Sequence, residues 1–292
     1  MKKVKASAGG LHLRTRSEKI VLSVMFVLFT IYAISLLYPY IWAFYNAFKT
    51  GREYNDDHFS LPKTLYLENF IKAFSVKVGG SNILGALINS IWITVGSVTL
   101  GLIFNAMTSY VVCKYKFWFT GFMYALVIFI QIIPIVGSLP AEYELMHSTL
   151  NIANKPWLFW VTWCGGFGGN FLYLYSAWKN LSWSYAEAAF IDGASNFTTF
   201  RKVMLPMIKP VLTSLAVVGA IGAWNNYMTP YLYLDDYPTL ALAVYSLQNN
   251  ATRMGMPLYF AIILITIVPT LAIFITFQDL IMKNMTTGGL KG

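Results

Sequence analysis

The sequence predicts an all-α integral membrane protein of six transmembrane helices, with a polar helical stretch on the cytoplasmic side just before the fifth. Three observations carry this. The 292 residues are 57% hydrophobic and only 11% charged, whereas a soluble domain is about 25% charged and needs that polar surface. Six stretches reach the roughly 20 mostly apolar residues that a helix needs to cross the hydrocarbon core. The positive residues behind the net charge of +9 fall in short tracts flanking the apolar runs. That distribution fits a membrane surface and not nucleic acid.

Residues 1–19 form a cytoplasmic N-terminal segment, and residues 20–278 a single six-span domain. The first span is 20–46. Lys2, Lys3, Lys5, Arg14 and Arg16 ahead of an apolar run look like a signal peptide. The run continues through Tyr38, Tyr40 and Trp42, past the roughly 15 residues of a signal core and without a small-residue cleavage site, so it is an uncleaved span. An outer loop follows, with Pro62, interleaved aromatic residues and a short helix near 67–74. The second span is 83–113 and the third 117–135. In the third, Gln131 and Pro134 predict a break near the outer end, where the freed backbone must find partners within the protein.

The fourth span is 157–178. Its Gly165-Gly166-Phe167-Gly168-Gly169 cluster has the look of a phosphate loop, but no Lys follows and it lies inside a span, so it reads as close helix packing. The fifth span is 208–234 and the sixth 256–278, separated by an outer loop that starts Asp235-Asp236-Tyr237-Pro238. Residues 279–292 are a cytoplasmic tail. No internal repeat is evident.

Orientation follows from the Lys and Arg count. With both termini inside, fourteen of the 21 basic residues are cytoplasmic: six up to Lys19, then Lys114, Lys116, Lys179, Arg201, Lys202, Lys209, Lys283 and Lys291. Cys113 sits at an inner boundary and Cys164 within a span, which argues against a disulfide. With His12, His58 and His147 scattered, no metal-binding spacing arises.

The cytoplasmic stretch 179–207 is the informative one. Ser184-Tyr185-Ala186-Glu187 has the pattern of a capping box, and Ala186, Ala188 and Ala189 extend a helix of small cross-section. Gly193 suits a left-handed helix end. Asp192 just before it opposes the helix dipole, which points to a partner for its carboxylate. Ser195 suits the cap of a second short helix carrying Phe197, Phe200 and Met204 at helical spacing, which Leu205-Pro206 ends. On pattern alone this is an interfacial helix-turn-helix.

The run Glu187-Ala188-Ala189, Asp192-Gly193-Ala194 and Leu205-Pro206 resembles the EAA loop of permease subunits of binding-protein-dependent ABC importers, at the family's spacing and in the expected loop. The tail, with Thr286, Thr287, Gly288, Gly289 and Leu290, is similar to that of maltose-type carbohydrate permeases, specifically the six-span partner of the two-permease pair. Trp224-Asn225-Asn226-Tyr227 is similar to a Trp-Asn-x-aromatic pattern of that group.

The resemblance implies a non-catalytic transporter subunit in the plasma membrane. It would form a heterodimer with a homologous permease, two ATPase subunits and an extracytoplasmic sugar-binding protein. It would bind no cofactor itself, ATP and Mg being held by the ATPases. Glu187, Ala188, Ala189, Asp192, Gly193, Leu205 and Pro206 would form a coupling helix seated on an ATPase. The tail is either a frayed terminus or, as the resemblance implies, an insertion between the ATPases. The loop 238–254, with Tyr245, Gln248, Asn249 and Asn250, would meet the binding protein.

Polar groups inside spans are candidates for a substrate path, since an unpaired buried amide is costly. These are Trp224, Asn225, Asn226, Asn170, Gln131 and Asn105, with Asn89 beside them; bonding between neighbouring helices is the competing role. Trp224 and Asn225 rank highest, because sugars offer apolar ring faces to aromatics and hydroxyls to amides. A permease for a non-sugar solute is the nearest alternative. A membrane-embedded enzyme would need convergent carboxylates, histidines or metal ligands in the spans, and the sequence has none. An ion channel would need charged rings or a filter loop.

Overall fold

The computed structural model of the chain describes residues 16–133 and 137–287. Its elements in order are α1 (Arg16–Asn46), α2 (Gly51–Asp56), α3 (Glu68–Ser75), the antiparallel pair β1 (Lys77–Val78) and β2 (Ser81–Asn82), α4 (Ile83–Lys114), α5 (Thr120–Ile132) and α6 (Leu139–Glu144) with a π-helical turn (Leu145–Thr149). Then come α7 (Pro156–Trp163), α8 (Asn170–Asn180), α9 (Ser184–Ile191), α10 (Asn196–Thr199) with a π-helical turn (Phe200–Met204), α11 (Leu205–Met207) and α12 (Lys209–Asn225). The chain closes with α13 (Met228–Tyr233), α14 (Leu240–Gln248), α15 (Ala251–Met254) and α16 (Met256–Thr287).

Among the described residues, α1, α4 and the Met256–Thr276 part of α16 are each long and apolar enough to cross a membrane. A fourth such unit exists if 196–207 and α12 count together, although they meet at a 75° bend. The remaining expected spans take other forms. α5 covers only part of 117–135: its 13 residues rise about 20 Å, short of a hydrocarbon core of about 30 Å. Pro134 lies outside the described residues.

The 157–178 segment is not one helix but α7 and α8 with a break at the glycine cluster. The break is built against α4. Asn105 Nδ2 donates to the Gly165 carbonyl at 3.0 Å and to that of Gly101 at 2.7 Å. The Thr108 hydroxyl donates to the Gly166 carbonyl. A Cβ on Gly166 would collide with Cγ2 of Thr108, so the close approach expected of these glycines is present. Irregular backbone at membrane depth is tolerated where protein groups satisfy its carbonyls, and Asn105 and Thr108 do so here.

The 208–234 segment likewise divides into α12 and α13. Asn226 caps α13, accepting from Thr229 N at 3.0 Å.

α4 is the central post, packed chiefly against α8 and α12 and also against α14 and α7. Two cores form at its ends. Near Ile83 the core includes Ala47, Trp224, Leu240, Tyr259 and Phe260. Near Lys114 it includes Ala106, Tyr110, Leu174, Trp178, Ala186, Phe200, Met204 and Ile208. The buried indole of Trp178 donates to Ser109 Oγ at 3.1 Å, so its N–H is paired.

α1 is different. It is exposed on every face from residue 17 to residue 41 and first packs at Trp42 and Ala43, against Phe260 of α16. An apolar helix of this kind must be covered by lipid or another chain. Its C-terminal end is locked: buried Lys49 donates from Nζ to the Asp57 carbonyl at 2.8 Å. Asn69 of α3 donates to the Ala47 and Lys49 carbonyls, both at 2.8 Å. Backbone N–H groups of Phe59 and then Ser60 hold the Asp57 carboxyl below the ordinary aspartate range.

Candidate functional site

The 179–207 stretch folds as a bracket at the Lys114 end of α4. Its first helix, α9, does not begin with the expected capping box. Trp183 at the cap position is already helical (φ −70°, ψ −20°) and makes no side-chain cap, whereas a capping residue needs extended backbone. Ser184 therefore lies inside the first turn, with its hydroxyl against that of Ser182 at 2.7 Å, and Glu187 N donates to the Trp183 carbonyl at 3.1 Å.

The other end of α9 forms as the sequence predicts. Gly193 is left-handed, at φ +82°. Its N–H donates to the Phe190 carbonyl at 3.0 Å and that of Ala194 to the Ala189 carbonyl at 2.9 Å, the paired bonds of a Schellman motif. Ser195 then caps α10, accepting from Thr198 N at 3.3 Å.

Leu205-Pro206 does not stop the second helix. The chain stays helical through Met207, with Pro206 directly after the π-helical turn. The sharp change of direction comes at Ile208, where Lys209-Pro210 opens α12.

Burial divides the bracket into two sides. Ala186, Phe200 and Met204 are buried in the core they share with α4 and α8, Ala189 is buried as well, and Leu205 is half-buried. Two further bonds tie the loop to the end of α4: Lys114 Nζ to the Leu181 carbonyl at 2.6 Å and Tyr115 OH to Asn196 Oδ1 at 3.1 Å. The opposite side exposes Glu187, Ala188, Ile191, Asp192, Phe197, Arg201, Lys202 and Pro206. Neither the Glu187 nor the Asp192 carboxylate has a partner among the described residues. The small alanine face expected to lie at a docking surface is thus split, with Ala186 and Ala189 turned inward and Ala188 outward.

Thr286 and Thr287 end α16, which runs on well past residue 278. Gly288, Gly289 and Leu290 lie outside the described residues.

The polar candidates within the spans separate. Asn105 is buried and occupied by the Gly165 break, and Asn89 by the Pro238 carbonyl at 3.0 Å. Asn226 is a helix cap. Gln131 is exposed at the end of α5 and Asn170 half-buried at the start of α8, so neither joins the others.

Trp224 and Asn225 do come together. Both line a cavity of about 880 Å³ between α1, α12, α14 and α16. Tyr227, Tyr245 and Gln248 share its wall, and Tyr227 stacks on Tyr245 with ring centroids 4.3 Å apart. The sequence reading set Tyr245 and Gln248 in an outer loop with Asn249 and Asn250. The structure carries the first two into the cavity on α14 and leaves the asparagines out of its lining. Their i, i+3 spacing on a helix was the signal available for this.

Comparison with known proteins agrees with this architecture. Residues 97–287 match the family described as binding-protein-dependent transport system inner membrane component. The chain is 30% identical to the probable starch degradation products transport system permease protein AmyC of Thermoanaerobacterium thermosulfurigenes, over 88% of this chain and 93% of that one. It is 29% identical to the multiple sugar-binding transport system permease protein MsmG of Streptococcus mutans, over 94% and 99%. It is 25% identical to the diacetylchitobiose uptake system permease protein NgcG of Streptomyces coelicolor, over 94% and 91%.

In fold it is similar to a chain of a bacterial ABC transporter that imports the acidic polysaccharide alginate, with a TM-score of 0.79 at 22% identity, covering 91% of this chain and 98% of that one. The chain belongs to the binding-protein-dependent transport system inner membrane components, as a permease subunit without a catalytic role of its own.

Proposed function

We propose that this chain is one of two homologous permeases in an ATP-driven carbohydrate importer, with its exposed bracket face as the seat of an ATPase subunit. The relatives named above are permeases for starch degradation products, multiple sugars and diacetylchitobiose, which supports oligosaccharide as the cargo. The observation that carries the coupling role is the two-sided bracket. One side is fixed to the membrane core through Phe200 and Met204, while the other offers Glu187, Ala188 and Asp192 with no partner for either carboxylate among the described residues.

A body so fixed transmits a push from an ATPase dimer as rigid movement of α4, α8 and α12. Importer function then follows as a population shift between inward- and outward-facing states. ATP and Mg belong to the ATPases, and a binding protein delivers the sugar from outside. In this reading the chain has six spans in the plasma membrane: α1, α4, α5 with its continuation, α7 with α8, the unit ending in α12 and α13, and α16. Both termini are cytoplasmic, on the strength of the Lys and Arg distribution. The tail 286–292 reaches between the ATPases.

Purification of the assembled transporter and uptake assays with a panel of oligosaccharides test the proposal. A second permease and two ATPase copies are expected to co-purify. Glu187→Ala is expected to lower sugar-stimulated ATP hydrolysis at least tenfold, and deletion of 286–292 to lower it while sparing membrane insertion. Undiminished coupling in both variants overturns the coupling assignment, and uptake confined to non-carbohydrate solutes overturns the cargo.

A further inference from the structure

We propose that α3 is an interfacial anchor: it lays one strip of its surface in the outer leaflet of the bilayer and so fixes the depth at which the ends of α1 and α16 leave the lipid. Which leaflet it meets rests on the orientation proposed above; the contact with lipid rests on the geometry of α3.

At about 100° of rotation per residue, α3 and Leu67 at its cap divide into three strips. Asn69 and Ala73 form the first, which is buried, Ala73 in the core that holds Tyr259 and Phe260 of α16. Glu68, Lys72 and Ser75 form the second, which is polar and exposed, with Lys72 Nζ 3.1 Å from Glu68 Oε1. Leu67, Ile71 and Phe74 form the third. These three are large and apolar, yet 58%, 71% and 47% exposed, and Leu61 and Leu65 ahead of them are 73% and 70% exposed. Left in water, each would forgo the gain of burial, and contiguous apolar surface of this kind marks a contact with membrane or protein.

Three observations favour the membrane. The first is depth. Asn69 Nδ2 donates to the carbonyls of Ala47 and Lys49, both at 2.8 Å, directly beyond the last residue of α1. Since α1 is long and apolar enough to cross the bilayer, α3 is held at the level where a span ends, among the headgroups. A soluble partner would have to reach that level to cover the strip, and lipid is already there.

The second is continuity. Phe44, exposed on α1, meets Phe48 at 5.2 Å, and Phe48 meets Phe70 of α3 at 4.9 Å, so a row of aromatic rings joins the apolar wall of the span to α3. The third is the division of the exposed surface. An apolar strip beside a charged one lets a helix lie in the interface, its side chains in the acyl boundary on one side and in water on the other. Because α3 is bonded to the end of α1 and packed on α16, its depth sets how far both helices tilt in a bilayer of given thickness.

The test uses the assembled transporter in proteoliposomes, made cysteine-free by Cys113→Ser and Cys164→Ser, with a nitroxide at one introduced cysteine at a time. Leu67→Cys, Ile71→Cys and Phe74→Cys probe the apolar strip; Lys72→Cys and Ser75→Cys probe the polar one. All five positions are exposed or surface-facing, and retained uptake confirms assembly. The ratio of oxygen to nickel-chelate accessibility is expected to be at least about fivefold higher on the apolar strip than on the polar strip, with or without the binding protein.

Equal ratios on the two strips overturn the anchor. So does an apolar strip shielded from both reagents, since another subunit then covers it, and so does one open to the nickel chelate until the binding protein is added. Orientation is read separately: Asp56→Cys is expected to react with a membrane-impermeant maleimide on intact cells. Reaction confined to inverted vesicles overturns the outer leaflet and the orientation together, while the accessibility ratio still decides whether α3 lies in lipid.

Discussion

Under the proposed coupling role, Ala186 and Ala188, two residues apart in α9, separate folding from coupling. Ala186 has no exposed surface and packs in the core of Tyr110, Trp178 and Met204; Ala188 faces outward beside Glu187. Ala186→Leu adds three carbons where no space is open, and overpacking of this kind costs about 1–3 kcal/mol. At about 2–4 °C per kcal/mol for a chain of this size class, the thermal midpoint of the purified transporter falls by several degrees. Ala188→Leu adds the same bulk to an exposed position, where stability changes by no more than about 0.5 kcal/mol. Function responds in the opposite sense: Ala188→Leu obstructs the docking face and is expected to release the ATPase and abolish sugar-stimulated hydrolysis. Intrinsic tryptophan fluorescence during heating, with ATPase co-purification and hydrolysis in proteoliposomes, reads both effects. Equal loss of stability in the two variants, or full ATPase retention by Ala188→Leu, would refute the assignment of the two sides.

Gly166→Ala drives a methyl into Thr108 and is expected to destabilise the chain by about 1–3 kcal/mol, measured by the same thermal scan; Gly169→Ala, with open space around its Cβ position, serves as the mild control. Asn105→Ala leaves the Gly165 carbonyl without its 3.0 Å donor and is expected to cost about 1–3 kcal/mol while leaving sugar selectivity unchanged in competition uptake assays. Asp57, whose carboxyl is held low by the Phe59 and then the Ser60 backbone N–H, is a group depressed by folding. Its contribution is fully present above the unfolded aspartate value of about 3.9 and is lost as pH falls through the lower folded value. Hydrogen exchange at Phe59 and Ser60 is therefore expected to stay slow at pH 5 and to accelerate relative to Asp57→Asn controls only below about pH 4.

Much of the bracket was legible in the sequence because its signals are local. Gly193 at a helix end and Ser195 before the next helix describe backbone within a few residues of themselves, and both formed as expected. Ser184 failed as a cap because Trp183 is already helical, a decision taken by the packing of Trp183 against Tyr115 and Phe190. Pro206 failed as a stop because the preceding π-helical turn lets the helix run through it. The cavity was less legible. Trp224 and Asn225 attracted notice as polar or amphipathic groups in a span, but Tyr245 and Gln248 lie on a separate helix, and nothing in a linear pattern says which two helices will face one gap.

By itself the sequence determined that this chain belongs in a membrane and where its charged helical bracket lies, because hydrophobicity and helix punctuation are properties of short windows. Only the tertiary structure decided which side of that bracket is buried, that Asn105 Nδ2 is tied to the broken helix, and that the wall built from α12 and α14 carries no charge. Those are relations between residues far apart in the chain, and they exist only once packing has brought the helices together.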